Sequence, residues 1–241
     1  MPFKQIRFHY ILLSCSLIVL CGCETIPPNS LATHNSSRWE KDIAAFEAQD
    51  LTNRPPAGCI VFTGSSSVRL WKSLESDFPG MQTANRGFGG SQLADLVHYA
   101  PRIITAYEPR QVVIYSGGND INAGKSPETV FADFVAVVGT IRKAVPSAKI
   151  TFISSGPNPA RWKQVASVRA LNGLVSAYCE RHGVDFINVA PLMLGADGLP
   201  DPNIYAADRL HMNANGYAIW RSAVLSHLVP PEGCCCAKSC F

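Results

Sequence analysis

Apolar residues along this chain fall into two alternating patterns. Short apolar runs recur along it, nearly unbroken at residues 59–63 (Cys-Ile-Val-Phe-Thr) and 111–115 (Gln-Val-Val-Ile-Tyr), and interrupted by polar residues at 149–154 and 184–189, which also read as strands. Runs of this length without a polar alternate read as strands covered on both faces. A shorter strand is expected around residues 83–85. Between the runs lie stretches whose apolar positions are three and four apart, the mark of a helix with one buried face. They cover residues 39–49 (Trp39, Ile43 and Phe46 on one side), 68–76 up to the stop at Pro79-Gly80, 91–107 with a break at Pro101, 127–144, 162–181 and 213–228. Pro127 suits a first helical turn, where its missing N–H has no helical partner to lose. Five strands alternating with helices predict parallel pairing through right-handed crossovers. The expected fold class is therefore α/β: a three-layer α/β/α sandwich around a five-stranded parallel sheet, with no repeat and no second domain.

In such sheets ligands bind beyond the carboxyl ends of the strands. Three loops there carry polar groups. Thr63-Gly64-Ser65-Ser66-Ser67-Val68 joins the first strand to its helix, where a serine is either an N-cap or a nucleophile with its own N–H at a helix start. It is not a Gly-x-Ser-x-Gly elbow, because position 68 is Val. Asn85-Arg86-Gly87-Phe88-Gly89-Gly90-Ser91 follows the second strand, either as a plain tight turn or as backbone brought close to a ligand. A dinucleotide fingerprint would need Gly where Gln92 stands. Ser116-Gly117-Gly118-Asn119-Asp120 follows the third strand. Its Asn119 suits either a turn or a neutral N–H donor for an oxyanion. Five residues separate Gly118 from Gly124, where a phosphate-binding loop has four. Near the end, Asp208-Arg209-Leu210-His211 sets a carboxylate three residues ahead of an imidazole, a spacing that suits a general base. His34, His98, His182 and His227 read as structural. No His-Glu-x-x-His is present and no cluster suits a metal. Residues 158–163 and 195–203 are expected to wall the pocket.

The remaining composition narrows the partners. Hydrophobic residues make up 47% and charged residues 16%, enough for one sizeable core, and the net charge of +3 is not clustered. No basic block interleaved with aromatics suggests nucleic acid. Lys4 and Arg7 precede an apolar run over residues 10–21, long enough for a signal segment and short for a membrane span. It ends in Leu20-Cys21-Gly22-Cys23, which resembles the lipobox of bacterial lipoproteins. That resemblance implies export and lipidation at Cys23, with the domain tethered to the cell envelope rather than spanning a membrane. The alternative is an ordinary secretory signal cut nearby. The expected organisation is a signal peptide over residues 1–22, a flexible Pro/Asn/Ser/Thr-rich tether over 23–37, one domain over 38–229 and a Cys-rich tail over 230–241. Cys59 and Cys179 read as small core residues. Cys234, Cys235, Cys236 and Cys240 have no C-x-x-C spacing.

Each motif is common alone. In this order, each at a strand end, they resemble the SGNH (GDSL-type) hydrolase superfamily over residues 59–228. The words Asn-Arg-Gly-Phe-Gly-Gly and Asp-Arg-Leu-His-Met-Asn-x-x-Gly-Tyr carry the likeness. The resemblance implies a flavodoxin-like sandwich and a serine esterase acting without metal or organic cofactor. It assigns Ser66 as nucleophile, Asp208 and His211 as its partners, and the N–H groups of Ser66, Gly90 and Asn119 as oxyanion hole. Ser65 stands where the family has Asp, and alignment on Gly64 selects Ser66 among the three serines. The implied substrate is an ester of small-molecule, glycan or lipid type, such as an acetylated carbohydrate or a (lyso)lipid. Acyl transfer to a sugar hydroxyl and a non-catalytic envelope binding module are the alternatives on the same fold.

Overall fold

The computed structural model describes residues 27–231. Its centre is a sheet of five strands, β1 (Ile60–Gly64), β2 (Thr83–Gly87), β3 (Gln111–Tyr115), β4 (Lys149–Ile153) and β5 (Asp185–Ile187). They pair in parallel in the order β2-β1-β3-β4-β5. The helices are α1 (Glu40–Asp50), α2 (Ser66–Arg69), α3 (Leu74–Asp77), α4 (Leu93–Ile103), α5 (Gly118–Asn122), α6 (Pro127–Ala144), α7 (Val165–His182) and α8 (Ala214–Leu225).

The period of two along a strand divides the apolar residues between two cores. Val61, Val112, Ile114, Ile150 and Phe152 point to one face and pack against α1, α4, α6 and α7, through residues such as Ile43, Leu96, Phe134 and Leu171. Ile60, Phe62, Val113, Ile153 and Ile187 point to the other, against Val68, Leu74 and Trp220 of α2, α3 and α8. Trp71, Phe78 and Trp220 stack edge-on in this second core. Each fully buried side chain of this size contributes roughly 1.5–3 kcal/mol, so both faces favour the layered arrangement. The expected sandwich is the observed one.

Several elements differ from the expected bounds, for local reasons. The helix expected over residues 68–76 is two short ones. The Val68 carbonyl accepts from the Asn85 side chain at 2.6 Å and from Trp71 N at 3.0 Å, which closes α2 early. The indole N–H of Trp71 and the Ser73 hydroxyl then bond the Asp77 carboxylate at 2.6 and 2.7 Å, which sets α3. Pro101 lies inside α4, whose end is followed by a single 3₁₀ turn at Thr105–Tyr107. β5 stops at Ile187 because the Ser154 hydroxyl takes the N–H groups of Val189 and Ala190 at 3.0 and 3.2 Å.

Within the stretch expected to be a tether, residues 30–36 are bonded to the domain. The Ser30 N–H and hydroxyl each reach the buried Asp133 carboxylate at 2.7 Å, and His34 Nε2 lies 2.7 Å from the buried Asp95. Cys59 and Cys179 are free and buried, and burial pushes the Cys179 thiol up to about 12. Cys15, Cys21, Cys23 and the four tail cysteines lie outside the described residues.

Candidate active site

The order β2-β1-β3 reverses direction of winding between β1 and β3, the place where such sheets open a crevice at their carboxyl ends. The loops after β1, β2 and β3 all meet there. Gly64 ends β1 with φ +129, and a Cβ on it would lie 1.9 Å from the Tyr115 carbonyl oxygen, so only glycine fits. The same carbonyl accepts from Ser65 N at 3.1 Å. This turn buries Ser65 and lifts Ser66, the first residue of α2, to the mouth of the crevice.

A tight hairpin brings in the other partners. Tyr205 and Met212 bridge antiparallel, and Ala206 N donates to the His211 carbonyl at 2.8 Å. Within it, Asp208 Oδ1 accepts from the N–H groups of Leu210 and His211 at 3.0 and 2.9 Å. Arg209 takes the left-handed conformation, φ +58, that this turn demands. The other oxygen, Oδ2, lies 2.6 Å from His211 Nδ1, and His211 Nε2 lies 2.8 Å from Ser66 Oγ. The imidazole bond and the two backbone N–H groups hold the Asp208 carboxyl down at about 2. Of the three adjacent serines, Ser66 is thus the one whose hydroxyl meets the imidazole. Ser67 instead gives its carbonyl to the Tyr217 hydroxyl at 2.9 Å.

The two glycine-rich loops are tied by hydrogen bonds to each other and to Gly64, two residues before Ser66. The Gly64 carbonyl accepts from Phe88 N at 2.9 Å and from the Ser91 hydroxyl at 3.0 Å. The Ser91 carbonyl in turn accepts from Asn119 Nδ2 at 3.0 Å. Gly90 has φ +79, its carbonyl accepts from Arg38 at 3.1 Å, and the Trp39 ring would lie 3.2 Å from a Cβ placed on it. Among the described residues, the N–H groups of Ser66 and Gly90 donate to no protein acceptor. One N–H of Asn119 is likewise uncommitted. A hydroxyl against an imidazole, that imidazole against a carboxylate, and unpaired N–H donors nearby can together deprotonate a serine and stabilise a negative oxygen.

A narrow cavity of about 50 Å³ opens at this point, lined by Ser66, Asn119, Asn158, Arg161, Trp162 and His211 among others. Gly90 does not line it and joins the site through Ser91. Of the two loops expected as walls, residues 158–163 supply Asn158, Arg161 and Trp162. Residues 195–203 supply none, because Leu194 and Pro200 bridge and Gly195 N bonds the Leu199 carbonyl at 2.8 Å, folding that loop on itself. Sequence reasoning did not single out Ser91 or Arg161; neither stands in a spacing that marks it. His34 and His227 pair with Asp95 and Asp185 away from the site. Among the described residues no group of His, Cys, Asp and Glu is placed to hold a metal ion, and no helix is long and apolar enough to cross a membrane.

The family model described as GDSL-like Lipase/Acylhydrolase family matches residues 56–219. No curated protein matched significantly. Among solved structures, a GDSL-like lipase from Bacteroides thetaiotaomicron superposes with a TM-score of 0.63 at 20% identity, covering 80% of this chain and 97% of the other. A catalytic mutant of an acetylxylan esterase from Geobacillus stearothermophilus gives 0.59 at 15% identity, covering 72% and 95%. At these identities the structural likeness is one of fold.

Proposed function

The chain belongs to the GDSL-like lipase/acylhydrolase family, hydrolases acting on ester bonds, and we propose that it is a serine esterase whose nucleophile is Ser66. The observation that carries this reading is the unbroken chain from Ser66 Oγ through both nitrogens of His211 to Asp208, at 2.8 and 2.6 Å. In the proposed cycle His211 Nε2 takes the Ser66 proton as Oγ attacks the ester carbonyl. Asp208 holds the imidazole in the tautomer with its proton on Nδ1 and stabilises the imidazolium that forms. The tetrahedral oxygen is stabilised by the N–H groups of Ser66, Gly90 and the Asn119 amide, each typically worth about 3 kcal/mol. His211 then gives its proton to the leaving alcohol, and water releases the acyl group by the same path reversed.

The cavity's size supports a short acyl group. At about 50 Å³ it holds a few water-sized groups, each needing roughly 10–15 Å³, which suits acetyl better than a fatty chain. Of the two substrate classes implied, an acetylated carbohydrate carries the shorter acyl group, and it is the one we favour over a lysolipid. The test is hydrolysis of p-nitrophenyl acetate, butyrate and octanoate by the wild-type protein and by Ser66→Ala. Turnover is expected to be greatest on acetate and to vanish in the variant while its circular dichroism stays unchanged. Activity retained by Ser66→Ala would overturn the nucleophile, and a maximum at octanoate would overturn the short acyl group.

A further inference from the structure

The Asn119 amide is held at both ends by groups of opposite kind. Its Oδ1 accepts from Arg161 Nη1 at 2.9 Å, and its Nδ2 donates to the Ser91 carbonyl at 3.0 Å. A primary amide has two donor hydrogens, so one N–H is left over. Turning the amide round would set NH₂ against a guanidinium and oxygen against a carbonyl, donor facing donor and acceptor facing acceptor. The arginine therefore selects the orientation. The same Nη1 also reaches the Gly118 carbonyl at 3.3 Å, so Arg161 grips two successive residues of the loop after β3.

Arg161 pairs with no carboxylate among the described residues, and burial pulls its pKa below the ordinary arginine value. Burying a guanidinium has a cost that the groups it donates to must offset. This one meets only the neutral oxygens beside the cavity. Its position is set from the opposite wall. Asn158 Oδ1 accepts from Arg161 N at 2.9 Å, and Ala160 N donates at 3.1 Å to the carbonyl of Arg209, which sits between Asp208 and His211. Residues 158–161 thus span from the Asp208–His211 hairpin to Asn119.

We propose that Arg161 is a positioning residue for the oxyanion hole: its guanidinium holds the Asn119 amide so that the uncommitted N–H is presented to the ester's carbonyl oxygen. The inference rests on the roles given to Ser66 and Asn119 under the proposed function. Arg161 acts through Asn119.

The test compares Arg161→Met, Arg161→Lys, Asn119→Ala and the Arg161→Met/Asn119→Ala pair with the wild-type protein on p-nitrophenyl acetate, with a melting temperature for each. Arg161→Met is expected to lower kcat by about tenfold or more and leave KM within about twofold. Arg161→Lys, which keeps a donor, should recover part of the loss. Adding Arg161→Met to Asn119→Ala should cost less than about twofold, because the group it positions is already gone. An unchanged kcat in Arg161→Met, or the same factor lost with and without Asn119, overturns the proposal. So does a raised KM at constant kcat, which would make Arg161 a substrate ligand. A crystal structure of the variant reads the amide without turnover: an Asn119 side chain turned off the Ser91 carbonyl supports the proposal, and an unmoved one overturns it. If Arg161→Met does not fold, Arg161→Lys carries the same comparisons. Failure of the underlying esterase reading shows separately, as wild-type activity that survives Ser66→Ala.

Discussion

The Asp208 carboxylate commits one oxygen to backbone and the other to His211. The His211 bond is the larger influence on its acidity, the two backbone N–H groups follow, and together they lower it to about 2. A group whose folded pKa lies below its unfolded value stabilises the fold fully above the unfolded value, 3.8 here, and loses that contribution as pH falls toward the folded one. The stability gap between wild type and Asp208→Asn should therefore be constant above about pH 4 and narrow as pH drops toward about 2. Denaturant melts of both proteins across that range measure it. A gap that stays constant to pH 2 would mean that the turn, not the charge, makes the difference. Asp208 half faces solvent, so the gap is a small share of total stability. At this scale the Asp208-x-x-His211 spacing was legible because the bonds from Asp208 to Leu210 and His211 run within four residues. Arg161 was not legible, because its meaning depends on Asn119, 42 positions away, and nothing in the sequence pairs the two.

Strands and long helices were readable for a related reason: what defines them is burial repeated at a fixed period. β1, β3 and β4 are apolar on both faces, and α6 and α7 carry their apolar stripe through eighteen residues each. The short helices depart from the pattern because particular side chains and turns decide them, not a period. α2 closes where Asn85 reaches the Val68 carbonyl, and α5 forms where a turn was expected, after Gly117 at φ +105. Glycines divide along the same line. Gly64 supports the turn that presents Ser66, and its missing Cβ leaves room for the Tyr115 carbonyl. Gly173 lies in α7, on its exposed side, with open space where a Cβ would go. Gly64→Ala should therefore destabilise by at least about 3 kcal/mol, a fall of about 6 °C or more in melting temperature. Gly173→Ala should stabilise by up to about 1 kcal/mol. Thermal melts of the two variants check the contrast; equal and small shifts would show that β3 can yield to a side chain at Gly64.

On the scale of the molecule, the five-stranded sandwich followed from the alternation of elements, while the bonds of residues 30–36 to it did not. Residues 30–36 have the composition of a linker, and composition carries no information about distant partners. Two buried carboxylates supply those partners. Asp133 takes both donors of Ser30 and also Lys125 Nζ at 2.8 Å. Asp95 holds His34, the Trp39 indole at 3.0 Å and the Gln92 N–H at 2.8 Å. Tyr99 adds a bond from its hydroxyl to the Ser36 carbonyl at 2.8 Å. Both carboxylates have fully buried side chains, so they must be met by donors wherever the chain begins. A protein that starts at Ser37 keeps Lys125, Trp39 and Gln92 on these acids but loses Ser30 and His34. Hydrogen bonds to charged groups contribute roughly 1.5–3 kcal/mol each, and water entering the gap returns part of that. The net loss should be about 3 kcal/mol, or a melting temperature lower by about 6–12 °C for a domain of this size, relative to a protein that starts at Pro27. Scanning calorimetry of the two lengths decides it. Melting temperatures within about 2 °C of each other would mean that residues 27–36 lie on the surface without holding it, and that the domain begins, as composition suggested, at the first helix.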